Sequence, residues 1–330
     1  MEKERDYQYD NVKAILIFCV VLGHVISNFG MTPAADILYN IIFSFHMPAF
    51  LFVSGYFSKY NPKKAFASLF PLYTIFQIVQ YLERGILASV SAGEIRMGGF
   101  DFFTPQWTLW YLIALMAFQL LLPVFETDDG KKQGAFLLLA LVLGLLVGFT
   151  PDTDNFLAMS RVFVFLPFYL WGYYESKNQI LRRFRRWKYF GIARAGAIVA
   201  AAVLIIGFCL FDNRIVAKNF YGTEQFLDVG MIIGRAFAWA TSILWILILI
   251  IWVPERKLGY LGIIGSRTLP VYLFHSLVIL ILVRTPLGDM MNGNLLMLLI
   301  LSAVLTIVLS WGKLETFLRR IRIPSKIKKS

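Results

Sequence analysis

Three histidines, His24, His46 and His275, are the only ones in this 330-residue chain, and each sits inside a run of apolar residues. Ionisable groups in hydrocarbon are costly, so they persist where they do chemistry or hydrogen-bond a neighbouring helix. Imidazole is also the side chain best suited to take a proton from a hydroxyl near neutral pH. A buried histidine reached from both faces of a membrane would allow an acyl group to pass from a cytosolic thioester to an outer hydroxyl. Spacing permits that reaction without showing it. The chain has no glycine-rich phosphate loop, no HExxH and no GxSxG. Cys19 and Cys209 lie in apolar runs and form no CxxC, so no metal or redox framework is expected.

Lys13 precedes His24 by eleven residues, a rotation of about 1100°, which leaves the two side chains about 20° from eclipsed and about 16 Å apart along a helix. Asp10 and Asn28 extend this stripe, and a polar stripe in a membrane helix must face protein or water. The first span is therefore expected to line a polar path from the cytosolic surface to deep in the membrane. Lys13 equally suits snorkelling to the cytosolic interface. Thr268, Tyr272 and His275 share one side of a later helix, where Pro270 is expected to loosen a turn and free a carbonyl. Tyr39 and His46 share a face of the second span, and Ser54-Gly55 at its inner end lets backbones pack closely; Ser54 is counted with the acceptor-side residues.

Trp107, Trp110 and Tyr111 read either as an aromatic belt or as a substrate platform. Arg182, Arg183, Arg185 and Arg186 form a positive-inside loop that also suits a phosphorylated cofactor, since arginine pairs bidentately with phosphate. Arg161 runs against the positive-inside grain and is a candidate substrate contact.

These residues need membrane helices to hold them. The chain is 58% hydrophobic and 16% charged, with mean hydropathy +0.67. That balance excludes disorder, a soluble nucleic-acid-binding module and a small disulfide-stapled fold. Ten apolar runs suit a bilayer: roughly 11–30, 36–57, 66–90, 106–124, 134–150, 160–175, 193–211, 231–253, 267–284 and 294–312. No sustained period-2 alternation argues for a β-barrel. With the N-terminus cytosolic, 25 of the 32 Lys and Arg fall on the inner side and seven elsewhere, as the positive-inside rule requires. The expected fold is all-α and polytopic, with about ten transmembrane helices and both termini cytosolic. Residues 1–330 are read as a single integral-membrane domain with no appended extracytoplasmic domain, and the first span as a retained helix. No internal repeat of the transporter kind is visible.

Five stretches together resemble a known family. They are Asp10-Asn11-Val12-Lys13-Ala14-Ile15 ending in Val21-Leu22-Gly23-His24; Phe45-His46-Met47-Pro48 with Phe52-Val53-Ser54-Gly55-Tyr56; and Trp107-Thr108-Leu109-Trp110-Tyr111-Leu112. Arg161 through Tyr169 with Gly172-Tyr173, and Ser266-Arg267-Thr268 through Val271-Tyr272-Leu273-Phe274-His275, complete the set. Their order is similar to integral-membrane acyltransferase family three, particularly its fucose 4-O-acetylase-like branch. The resemblance implies O-acylation of a sugar, a cell-envelope glycan or a lipid-linked sugar by acetyl-CoA or another acyl-CoA, in a bacterial inner membrane. It implies His24 as the essential residue, a general base or a transient acyl carrier, with Lys13 toward the CoA side. Lysine at position 13 replaces the commoner arginine and forfeits bidentate phosphate binding. No metal and no nucleic acid are expected. The competing readings are a transporter or flippase of a glycan or small solute, and a sensory or assembly partner without activity.

Overall fold

The computed structural model describes residues 6–95, 97–150, 156–210, 220–291 and 293–322. Among them every regular element is a helix and none is a strand. Helix starts follow cap chemistry, because a side-chain oxygen at the N-cap satisfies an otherwise orphaned amide. Asp6 caps α1 (Tyr7–Phe29), Thr32 caps α2 (Pro33–Phe43) and Asn61 caps α4 (Pro62–Ala92). Between the last two lies α3 (His46–Phe57). Downstream come α5 (Trp110–Leu121), α6 (Gly130–Leu146), α7 (Met159–Asn178), the short α8 (Ile180–Arg185) and α9 (Phe190–Leu210). The chain continues with α10 (Val229–Trp252), α11 (Gly259–Ser266), α12 (Thr268–Leu282), α13 (Pro286–Met291), α14 (Leu295–Leu309) and α15 (Gly312–Ile321).

The protein is an all-α polytopic membrane protein, but among the described residues fewer helices than ten have the length and apolarity to cross a bilayer. Six do: Tyr7–Phe29, Pro33–Phe57, Pro62–Ala92, Gly130–Phe149, Phe190–Leu210 and Val229–Trp252. Two bent pairs, α11 with α12 at 76° and α14 with α15 at 57°, bring the number to eight. The runs expected at 106–124 and 160–175 are helical too, but Trp110–Phe125 is shorter. Helix α7 carries Arg161, Glu175 and Lys177 and buries most of its length against its neighbours. A helix sheathed in protein need not be apolar all round.

The 36–57 run is not one straight helix. It breaks at Ser44 and Phe45, and His46 opens the second piece. Pro270 stands just after the 76° bend that separates α11 from α12. It lies in the first turn of α12, where a missing N–H disturbs no intrahelical bond.

The close packing sits in the middle of the bundle. A Cβ on Gly55 of α3 would lie 1.9 Å from the Tyr169 carbonyl oxygen, and one on Gly172 of α7 would lie 1.8 Å from that of Phe52. Each helix thus passes through the other's glycine notch. Gly265 of α11 meets the Asp10 carbonyl of α1 in the same way.

One end of the bundle gathers the start of α1 and the ends of α3, α7 and α10. Gln8 donates to the carbonyls of Ile250 (2.8 Å) and Val253 (3.2 Å), and Asn11 to those of Pro254 (3.0 Å) and Arg256 (2.9 Å). Tyr56 donates to Asp6 (3.3 Å), and Gln179 to Tyr56 (3.3 Å). The Gln8 bonds satisfy open carbonyls at the C-terminus of α10. At the other end Leu157 N–H donates to Phe103 O (2.7 Å), Phe226 N–H to Gly148 O (2.6 Å) and Gly293 N–H to Phe29 O (3.1 Å).

Candidate functional site

Helix α1 carries His24 near that second end, where a cavity of about 780 Å³ opens. That volume suits a small ligand or one sugar unit. His24, His46, Trp107, Trp110, Arg161 and Tyr272 all line it. Five separate sequence stretches therefore converge on one space.

His24 is half-buried. Its ring lies edge-on to Trp107 at 4.8 Å between centroids, and 5.2 Å from the ring of His275. The backbone fixes the tautomers of the other two histidines. His46 Nδ1 lies 2.8 Å from Ile42 O, and His275 Nδ1 lies 3.0 Å from Val271 O. A carbonyl only accepts, so each Nδ1 carries the proton and each Nε2 is left as a lone pair. His275 Nε2 is buried with no hydrogen-bond partner among the described residues. It therefore stands as a spare acceptor against the His24 ring, behind the cavity wall. His46 faces the cavity itself and packs edge-on to Phe43 at 4.7 Å.

The loop bearing Trp107 is held by α4. Fully buried Gln77 donates to the carbonyls of Asp101 (2.9 Å) and Thr104 (2.7 Å) and accepts from Gln106 N–H (2.8 Å). Trp107 then takes φ +34°, a left-handed conformation rare for a bulky residue. Tyr272 donates to the Thr108 carbonyl and pins the loop from the opposite side. Next to His275, buried Gln80 donates to Ser276 Oγ (3.0 Å), tying α4 to α12. Sequence reading missed Gln77 and Gln80; a glutamine three residues from another on one apolar helix was the available sign.

Arg235 was missed as well. It is 2% exposed, donates to Gly144 O (2.9 Å) and Glu224 O (2.8 Å), and lies over the Phe226 ring at 4.5 Å. It secures the segment that brings Phe220, Tyr221 and Thr223 to the cavity.

Other candidates lie elsewhere. Ser54 is not among the cavity-lining residues; its hydroxyl donates to Phe50 O (2.8 Å) and bonds Tyr111 Oη (2.7 Å). Lys13 sits at the opposite end of α1, paired with Asp10 at 2.8 Å and over the Phe57 ring at 5.3 Å. The stripe joining it to His24 is interrupted. Ile17 and Val21 are buried in the apolar core between Lys13 and the cavity, and Val20 stands at the cavity's edge. The expected polar path along α1 is thus closed in this conformation.

Arg182, Arg183 and Arg186 are exposed. Arg185 is engaged: it donates to Ile250 and Val253 carbonyls and meets Glu255 at 3.5 Å. Burial pushes its guanidinium pKa down, and Glu255 pushes it back up. Arg182 borders a cleft of about 260 Å³ that also holds Asp6, Glu175 and Glu255. Three carboxylates and a single lining arginine do not suit a phosphate in that cleft. No group of three or more His, Cys, Asp or Glu able to hold a metal occurs among the described residues.

Comparison with known proteins places this geometry in a family. A curated relative, Nodulation protein NolL of Sinorhizobium fredii (strain NBRC 101917 / NGR234), is 27% identical over 203 residues, 54% of this chain and 52% of its own length. The chain thus matches about half the length of that relative. No solved structure matches. The family model for the acyltransferase domain matches residues 6–314, nearly the whole chain, and takes in every residue that lines the cavity. The chain belongs to acyltransferase family three.

Proposed function

We propose that this protein is a membrane O-acyltransferase that moves an acetyl or other acyl group from a CoA thioester to a hydroxyl of a sugar or glycan. The observation that carries this reading is His24, the one histidine that both lines the cavity and touches a second imidazole. In the proposed step a His24 ring nitrogen takes the proton of the acceptor hydroxyl. The freed oxygen attacks the thioester carbonyl, the C–O bond forms and the C–S bond breaks. The proton then passes to the departing thiolate, which leaves as CoA thiol. His46 Nε2 faces the same space and is placed to accept a second acceptor hydroxyl. His275 steadies the proton-bearing nitrogen of His24 from behind. Arg182, Arg183 and Arg186 are proposed to meet the donor phosphates, with the start of α1 toward the cytosol of a bacterial cell.

The test is transfer of labelled acetyl from acetyl-CoA in purified membranes. His24→Ala is expected to lower the rate at least about 100-fold, the range a general base contributes. Unaltered transfer would remove His24 from the chemistry. Solute flux into liposomes without CoA release would replace the acyltransferase reading by transport.

A further inference from the structure

His46 is 3% exposed and lines the cavity, so whatever reaches its ring arrives from that space. With Nδ1 committed to Ile42 O, Nε2 offers a lone pair and no hydrogen. Among the described residues nothing donates to it. A ligand that meets it must therefore bring a hydrogen, as a hydroxyl does.

Phe43, the last residue of α2, neighbours both His46 and His24. Its ring is edge-on to each, at 4.7 Å and 6.2 Å between centroids. Tyr39 lies against it at 4.1 Å and Tyr221 at 5.3 Å, and those two hydroxyls are bonded to each other at 2.7 Å. A Cβ on Gly23, the residue before His24, would come 2.9 Å from the Phe43 ring, which therefore rests on bare α1 backbone. The two imidazoles thus adjoin one phenyl ring, held in place by two tyrosines and α1. Two hydroxyls of a single pyranose, a ring of similar size, can meet both at once.

Resting on the acyltransferase reading, we infer that the acceptor is a sugar ring with two free hydroxyls, one losing its proton to His24 while the other donates to His46 Nε2. His46 then decides specificity, and Phe43 is a positioning residue that sets the spacing of the two contacts. A site built around a substrate hydroxyl rejects the analogue that lacks it, because its own polar group is left unmet. Acylation removes the hydrogen of a hydroxyl. A ring already acylated at the His46 position is therefore refused, and the product carries one acyl group per ring.

The experiment uses the full chain in phosphatidylcholine nanodiscs with labelled acetyl-CoA. The acceptor probes are octyl glucopyranoside and octyl galactopyranoside, each with its monodeoxy and monodeoxyfluoro analogues. Fluorine keeps the size of a hydroxyl but has no hydrogen to donate. Besides the acylated position, one further position is expected at which both analogues lower kcat/KM about 10- to 100-fold. His46→Phe keeps a ring and removes the lone pair. It is expected to bring the parent glycoside down to the rate of that analogue and to leave the analogue within about twofold. His46→Gln, whose amide oxygen accepts, is expected to fall between. Mass spectrometry is expected to find one acetyl group per ring at complete conversion. The absence of a second position, full rate with its fluoro analogue, or two acetyl groups on one ring overturns the inference. So does a penalty that His46→Phe leaves unaltered, or a loss of all transfer in that variant, which would put His46 in the proton transfer itself. The analogue series in the unaltered protein decides the matter if His46→Phe does not fold. If no glycoside is acetylated and no CoA is released, the acyltransferase reading fails by itself. Tryptophan fluorescence then still reads Kd across the same series, and binding that is absent, or that depends on no single hydroxyl, overturns the hydroxyl pair independently.

Discussion

His275 Nε2 has no hydrogen-bond partner among the described residues, while its Nδ1 is committed to Val271 O. A lone pair buried without a donor costs about 1–3 kcal/mol, and such a cost in a protein interior asks for a reason. The ring of His24, 5.2 Å away between centroids, supplies one. His275→Phe keeps the volume and removes the acceptor. It is expected to lower kcat about 10- to 100-fold while the acceptor KM stays within about twofold, because His275 does not line the cavity. A change confined to KM would make it a packing residue. Sequence spacing brought the histidines to one depth; it could not say which of them would face the cavity and which would stand behind the wall. That division depends on the break at Ser44 and Phe45, which lets His46 begin a new helix. Ser54 shows the reverse case. Its type invites a substrate role, yet a neighbouring tyrosine hydroxyl claims it.

At the scale of elements, the cavity depends on parts that bear no reactive group. Gln77 makes three hydrogen bonds to the 101–106 loop from a fully buried position. Gln77→Ala is expected to cost about 2–3 kcal/mol, at about 1 kcal/mol per bond, and to release Trp107 from φ +34°. Thermal unfolding in detergent checks the first effect and loss of transfer at unchanged donor KM checks the second. The crossing of α3 and α7 tolerates less. Gly172→Ala would put a methyl 1.8 Å from the Phe52 carbonyl, a backbone clash that no rotamer relieves. Little or no folded protein is expected on size-exclusion chromatography, and a native-like yield would contradict the crossing. Apolar runs and cap residues made the helix positions readable in the sequence. The breaks within 36–57 and before 268 were not, because an apolar run looks the same whether its helix is straight or bent. Helix α7 was readable as a helix yet not as an enclosed one, since enclosure is a property of its neighbours.

For the whole molecule, the distribution of basic residues and the hydrogen bonds give the same two ends. The start of α1 and the ends of α3, α7 and α10 meet where the inner loops were expected. An impermeant maleimide on intact cells is therefore expected to label Ser91→Cys and to spare Lys131→Cys until the cells are opened; both positions are exposed. The opposite pattern would invert the topology. The reciprocal glycine crossing then divides the protein as a machine. Helices α3 and α7, locked through each other's notches, serve as a stator, and α1 is bolted to α11 at Gly265. Helix α9, with only Ala197 and Phe208 buried, is the least enclosed of the long helices. A route opened from the inner end to His24 would meet least resistance among the outer helices, since α3, α7 and α1 are held by backbone-to-backbone contact.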